Sequence, residues 1–233
     1  MTTSIKIFAE TKEQVDTLYE KLKATVHFDE VSNVFDRVEY INDIKLYYND
    51  DLYVGSNHIG TQFVDILKQF YPNKTFNNTL DWCCGAGFLG FNLFSEQLTD
   101  KLVLMDKYKP AINACNKTIS EMNTDKISAT TELPNEKFDL IIGNPPWFLI
   151  NNMLSLYNDR ARKTTDIDGL VHKEFFNNVR NLLAEDGIVI LVEGGMSSSP
   201  LYFKDMIEDN SLKVTKVLGV EDYPYYFMII EAL

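Results

Sequence analysis

Three short stretches of this chain hold residue types whose chemistry could be combined at one site: Asp81-Trp82-Cys83-Cys84-Gly85-Ala86-Gly87, the single acid Asp106, and Asn144-Pro145-Pro146-Trp147. Gly85 and Gly87 permit a tight turn that brings backbone close to a ligand, and a helix starting just after them adds exposed N–H donors. Asp106 follows Asp81 by 25 residues, the distance at which an acid closing a second strand can accept hydrogen bonds from both hydroxyls of a ribose. Asp106 could equally cap the helix that follows it. The two pieces together predict an adenosine-type cofactor in the crevice at the carboxyl ends of the strands.

The third stretch is built differently. Phe138 to Ile150 reads FDLIIGNPPWFLI, an apolar strand that breaks into a polar residue, two prolines and a large aromatic. Proline has no backbone N–H and a fixed φ, so the tetrapeptide leaves the sheet as a stiff, extended elbow. It presents an amide, carbonyl oxygens and an aromatic face in fixed relation to one another. A nicotinamide cofactor would suit the glycine turn and Asp106, but it gives this elbow, which faces the same crevice, nothing to do.

The elements that must position these residues alternate. Strand endings are expected over Thr79–Trp82, Lys101–Met105, Ile127–Thr130, Phe138–Ile142 and Ile188–Val192. Helices are expected over Thr61–Phe70, Leu89–Gln97, Lys109–Asn123, Val171–Leu183 and Tyr202–Glu208, the fourth stopped near Asp186-Gly187. Such alternation means βαβ units and a mostly parallel sheet. Lys213–Gly219 and Tyr225–Ile230 have no helix between them and should add an antiparallel hairpin. Ahead of this pattern, Ser4–Glu10 reads as a strand and Thr11–Lys23 as a helix. Val38–Tyr48 reads as one or two strands around Asn42-Asp43. Residues 1–60 are therefore expected as a small α+β appendage to a domain spanning 61–233. That appendage either recognises a substrate or covers an edge of the main sheet.

Composition bounds the rest. With 233 residues, 45% of them hydrophobic and 24% charged, the chain has globular character. No apolar run approaches the roughly 20 residues that span a bilayer, and no signal peptide is apparent, so a cytoplasmic protein without membrane contact is expected. Three cysteines, Cys83, Cys84 and Cys115, and three scattered histidines, His27, His58 and His172, suggest neither a disulfide framework nor a metal site. A net charge of −12 opposes broad, sequence-independent nucleic-acid binding.

Asp81-x-Cys83-x-Gly85-x-Gly87, Asp106 and Asn144-Pro145-Pro146-Trp147, in this order and on these elements, resemble the class I S-adenosylmethionine-dependent methyltransferases. The resemblance covers Thr61 to Leu233, and Cys83 stands where that family often has glycine. It implies a doubly wound, mostly parallel seven-stranded sheet, with S-adenosylmethionine held by Asp81, Cys83, Gly85, Gly87 and Asp106. The Asn-Pro-Pro-aromatic motif belongs to the branch that methylates a planar nitrogen, either the exocyclic amine of adenine or the side-chain amide of glutamine. This implies catalytic roles for Asn144, Pro145, Pro146 and Trp147. Residue chemistry agrees: a conjugated NH2 is a poor nucleophile, and two acceptors gripping its hydrogens would fix it. The Asn144 side-chain oxygen and the Pro145 carbonyl form the natural pair, with Trp147 against the flat face of the target.

Weaker assignments follow from the same resemblance. Trp82 and Phe88 either flank the cofactor or pack in the core, Glu132 lies in the adenine region, and Tyr53–Asn57 either covers the cofactor or forms an ordinary turn. Leu191-Val192-Glu193-Gly194-Gly195 is similar to the Glu-x-Gly of the release-factor glutamine methyltransferases, which favours a protein substrate. RNA or DNA is the second reading, and a methyltransferase-like fold that binds a partner without turnover is the third. Arg160, Arg162 and Lys163 belong either to a substrate loop for an acidic or phosphate-bearing partner or to a solvated surface loop.

Overall fold

A computed structural model describes residues 35–50, 52, 56–149, 164–220 and 223–233, together with Glu13. The chain divides into two compact units, Met1–Val31 and Ser32–Leu233. The strand expected at Ser4–Glu10 lies outside the described residues, as do the basic stretch 150–163 and most of the helix expected at Thr11–Lys23, of which only Glu13 is described, as helical.

The second unit opens with a hairpin, β1 (Arg37–Ile41) and β2 (Ile44–Tyr48), antiparallel and paired Ile41 to Ile44. Asn42 turns it at φ 49°, in the left-handed region that asparagine tolerates better than most residues. Helix α1 (Ser56–Phe70) starts five residues earlier than Thr61. The start falls within Asp51–Gly60, which reads from the sequence as a loop carrying a helix start. Gly60 in this first stretch has no room for a side chain: a Cβ there would come within 2.5 Å of Asn92 Nδ2 and 3.0 Å of the Phe88 carbonyl.

The alternating segment then runs β3 (Phe76–Trp82), α2 (Phe88–Ser95), β4 (Thr99–Met105), α3 (Lys109–Glu121), β5 (Ile127–Thr130) and β6 (Phe138–Gly143). After the elbow come two two-residue strands, β7 (Phe148–Leu149) and β8 (Thr165–Asp166). They are followed by α4 (Leu170–Leu182), β9 (Leu183–Gly194), α5 (Pro200–Glu208), β10 (Leu212–Gly219) and β11 (Tyr225–Ala232). The hairpin β1–β2 is tied to α3: the Tyr47 amide donates to Thr118 Oγ1 at 3.0 Å and its hydroxyl donates to Glu121 Oε2 at 2.6 Å.

Seven strands form one sheet in the order β10-β11-β9-β6-β3-β4-β5, and β11 alone runs against the others. The fold is thus the doubly wound, mostly parallel sheet expected, with the closing antiparallel hairpin. Its central strands are buried on both faces: Leu140–Ile142, Val189–Val192 and Phe227–Ile230 are each wholly inaccessible. That is why these stretches read as continuous apolar runs rather than alternating ones. Helix α4 ends at Leu182, before Asp186-Gly187, and β9 begins at once. Its register against β6 jumps from Phe138–Leu183 to Leu140–Ile188, so Asp186-Gly187 lies in a bulge rather than a helix stop.

Candidate functional site

The chain leaves β3 for β4 and β5 on one side and returns to β6 on the other, so β3 and β6 flank the point where strand order reverses. Ligands of such sheets bind outside the carboxyl ends of the strands at this point. The register brings the three chemistry-bearing stretches to it together. Trp82 pairs with Met105 on one side and with Gly143 on the other, and Gly143 pairs with Leu191 of β9. The glycine turn at Cys83, the acid Asp106 and the elbow at Asn144 therefore leave the sheet side by side.

In the turn, Cys83 (φ 57°), Gly85 (φ 54°) and Gly87 (φ 85°) are all in the left-handed region. Glycine occupies that region freely, whereas Cys83 pays about 1–2 kcal/mol for it. Gly87 is also crowded: a Cβ would meet the Phe91 ring at 2.7 Å. Gly85 is the opposite case, since a Cβ there would meet no atom within 4 Å. The space beside Gly85 is open toward the crevice.

Asp106 holds this turn. One carboxylate oxygen accepts the Gly85 amide at 2.9 Å and the other accepts the Tyr108 amide at 2.8 Å. Asp106 thus ties the glycine turn to the start of α3, whose N-cap residue is Tyr108. Asp81 lies deeper. It is wholly buried, and one oxygen accepts the Gly90 amide at 2.8 Å while the other finds no partner. Burial, partly offset by the Gly90 bond and reinforced by the charge of Asp106, raises its pKa from 3.8 to about 8. The unpartnered Asp81 oxygen and the open space beside Gly85 fit a cationic cofactor, whose charge would draw off the Asp81 proton on binding.

In the elbow, Pro145 is buried and Asn144, Pro146 and Trp147 are half-buried. Trp147 is a fixed part of the wall. Its indole N–H donates to the Val192 carbonyl at 3.1 Å, its own carbonyl accepts from the Ser197 hydroxyl, and its ring lies 5.5 Å from that of Tyr225. Gly194 makes room for it, since a Cβ there would meet Trp147 atoms at 2.9–3.2 Å. Asn144, by contrast, makes no hydrogen bond among the described residues.

The remaining candidates divide. Trp82 packs in the core, stacked on Phe175 at 4.0 Å, and Phe88 is buried edge-on to Tyr48. Glu132 is exposed at the end of β5. Tyr53 to Gly55 lie outside the described residues, while Asn57 bonds to Glu39 and Asn92 within the scaffold.

Sequence reasoning missed a buried charged cluster behind the elbow. His172 Nδ1 lies 2.6 Å from Asp166 Oδ2 and its Nε2 lies 2.9 Å from Glu193 Oε1, with all three residues inaccessible to solvent. Asp166 also accepts the Val171 and His172 amides, at 2.9 and 3.2 Å, and so caps α4. Burial alone would lower the imidazole pKa. Glu193 and the bonds to both carboxylates outweigh it and raise the group from 6.5 to about 9. A signal existed: His172, Phe175, Phe176 and Val179 recur at i, i+3, i+4, i+7, which puts the histidine on the buried stripe of α4.

The chain is similar to known methyltransferases. A release factor glutamine methyltransferase of Leptospira interrogans is 28% identical over 75% of this chain and 66% of its own length. A ribosomal RNA small subunit methyltransferase C of Haemophilus influenzae is 29% identical over 36% of this chain and 26% of its own. The chain therefore spans less than two thirds of these curated relatives. A solved ribosomal protein L11 methylase from Lactobacillus delbrueckii subsp. bulgaricus shares the fold, with a TM-score of 0.54 at 15% identity over 75% of this chain and 79% of that one. The methyltransferase small domain model matches residues 58–217, which include the glycine turn, Asp106, the elbow and the buried cluster, and the chain belongs to the methyltransferase small domain family.

Proposed function

We propose that this protein is an S-adenosylmethionine-dependent N-methyltransferase whose acceptor is a planar NH2 group, a protein glutamine amide first. The observation that carries the reading is the row Met105–Trp82–Gly143, which sets a cofactor-type turn and an unengaged asparagine amide at adjacent strand ends. Support for glutamine comes from the similarity to a release factor glutamine methyltransferase and from the charge of −12, which disfavours a long polyanion. Methylation of a base amine in RNA is the second reading, favoured by the likeness to the ribosomal RNA enzyme.

S-adenosylmethionine supplies an electrophilic methyl group on a sulfonium. Asp106 would accept from the ribose hydroxyls while keeping the turn closed through the Gly85 amide. Gly85 leaves space that a side chain would fill, and Asp81, with one unpartnered oxygen, would help to hold the cofactor's positive charge. On the acceptor side, the Asn144 carbonyl oxygen and the Pro145 carbonyl take the two N–H groups of the NH2, turning its lone pair toward the methyl. Trp147 fixes the elbow to Val192 and Gly194, so these acceptors are pre-placed. Catalysis would then be mainly positioning: the N–CH3 bond would form as the S–CH3 bond breaks, S-adenosylhomocysteine would leave as a neutral thioether, and the nitrogen's surplus proton would pass to water after transfer.

Methyl-labelled S-adenosylmethionine, incubated with the protein and a cell extract separated into protein, RNA and DNA, tests the acceptor. Label in protein that is recovered as methylglutamine supports the first reading. Label confined to RNA overturns it in favour of the second.

A further inference from the structure

We propose that His172 is a positioning residue: by bridging Asp166 and Glu193 it braces the Asn144–Trp147 elbow against the end of β9. The inference rests on the reading of the elbow as the segment that holds the acceptor. Its starting point is that the elbow needs support at both ends. The Asn144 end has it, because Gly143 is in the sheet and wedged against Trp82 and Leu191, where a Cβ would meet atoms at 2.9–3.1 Å. The Trp147 end continues into β7, whose partner among the described residues is β8, through Phe148–Thr165 and Leu149–Asp166. A ladder of two residues has little stability of its own.

Asp166 ties β8 to α4. Its carboxylate takes two amides of α4 and the imidazole of His172. The other side of that imidazole is held by Glu193, which stands between Val192, the acceptor of the Trp147 indole, and Gly194, the floor beneath it. Trp147 therefore engages Val192 and Gly194, and His172, from α4, engages Glu193 between them. The ring is enclosed by Trp82, at 5.9 Å between centroids, and Phe203, at 4.7 Å. The other titratable groups near the two carboxylates are Tyr226, across from Glu193 in β11, Tyr202 of α5 and the Cys83 thiol. These are acids and phenols, so the imidazolium is what balances the carboxylates. Without it two buried carboxylates would face each other uncompensated, and β8 with the elbow's far end would come loose. The second oxygen of Glu193 already lacks a partner.

The test compares wild type, His172→Gln and Val179→Ala, a purely apolar change on the same face of α4, by hydrogen exchange, cofactor binding and methyl transfer. In His172→Gln the amides of Trp147, Phe148, Leu149 and Thr165 should exchange at least tenfold faster, with those of β3 and β4 unchanged. Affinity for S-adenosylhomocysteine should stay within twofold, and kcat should fall at least tenfold at nearly constant acceptor KM. Val179→Ala should raise exchange across α4 and β9 without singling out the elbow. Elbow exchange that does not rise, or that rises only together with β6 and β9, overturns the proposal, as does a loosened elbow with unchanged kcat. If wild type shows no methyl transfer at all, the functional reading fails, while selective loosening would still establish the brace. Should His172→Gln not fold, Glu193→Gln serves in the same comparison. Nitrogen NMR of wild type at pH 7.5 should show both ring nitrogens of His172 protonated, and a singly protonated ring would overturn the bridge.

Discussion

Gly85 and Gly87 look alike in the sequence, yet the fold asks different things of them. Gly87 is needed for packing as well as for φ, because Phe91 fills the space where its Cβ would be. Gly85 needs only its φ of 54°, and the space beside it is open. Gly85→Ala should therefore cost only about 1–2 kcal/mol of stability while weakening S-adenosylmethionine binding at least tenfold. Thermal unfolding and calorimetric titration measure the two effects separately. A large stability loss with unchanged binding would show that the open space is not the cofactor's. The spacing of Asp81, Gly85, Gly87 and Asp106 was legible because turn chemistry is local. The grip of Asp106 on the Gly85 and Tyr108 amides was not, since it needs the register of β3 against β4.

Among the elements, the elbow shows how a rigid tetrapeptide becomes part of a site. Pro145 and Pro146 stiffen it, but its place is set by β9, through the Val192 carbonyl and the missing side chain of Gly194. Gly194→Ala puts a methyl group within 3 Å of Trp147 at a position whose backbone is not strained. The expected outcome is methyl transfer reduced at least tenfold with cofactor affinity unchanged, seen by pairing a turnover assay with a binding titration. Long regular elements were readable from their periodicity, and even the closing antiparallel hairpin followed from the missing helix between β10 and β11. Less readable were features that depend on tertiary contact. The close approach of Gly60 to α2, inside the stretch that reads as a loop carrying a helix start, is invisible in the sequence. The two-residue strands β7 and β8 have no periodicity to detect, and the bulge at Asp186-Gly187 carries the same residue types as a helix stop.

For the whole molecule, buried titratable groups tie stability to pH. The folded chain holds the proton of Asp81 up to about pH 8, against 3.8 for an unperturbed carboxyl, and that of His172 up to about pH 9, against 6.5. Both pKa values are raised. Their stabilising contributions are therefore complete below the unperturbed values and are lost as pH rises, from about 4 to 8 for Asp81 and from about 6.5 to 9 for His172. Each group contributes a slope of up to about 1.4 kcal/mol per pH unit within its window. The cofactor-free protein should unfold at a lower temperature at pH 8 than at pH 6, and Asp81→Asn should flatten the decline while weakening cofactor binding. An unfolding temperature that rises over that range would contradict the assigned protonation states.

In the proposed reaction two halves meet at the ends of β3 and β6, one holding the methyl donor and one holding a flat NH2. Asn144→Ala separates them. With S-adenosylmethionine at saturating concentration and its binding verified by titration, label transfer from the donor to the acceptor fraction should fall at least a hundredfold relative to wild type, with donor affinity within twofold. Transfer that persists in Asn144→Ala at matched donor occupancy would contradict the role given to the elbow and with it the proposed reaction.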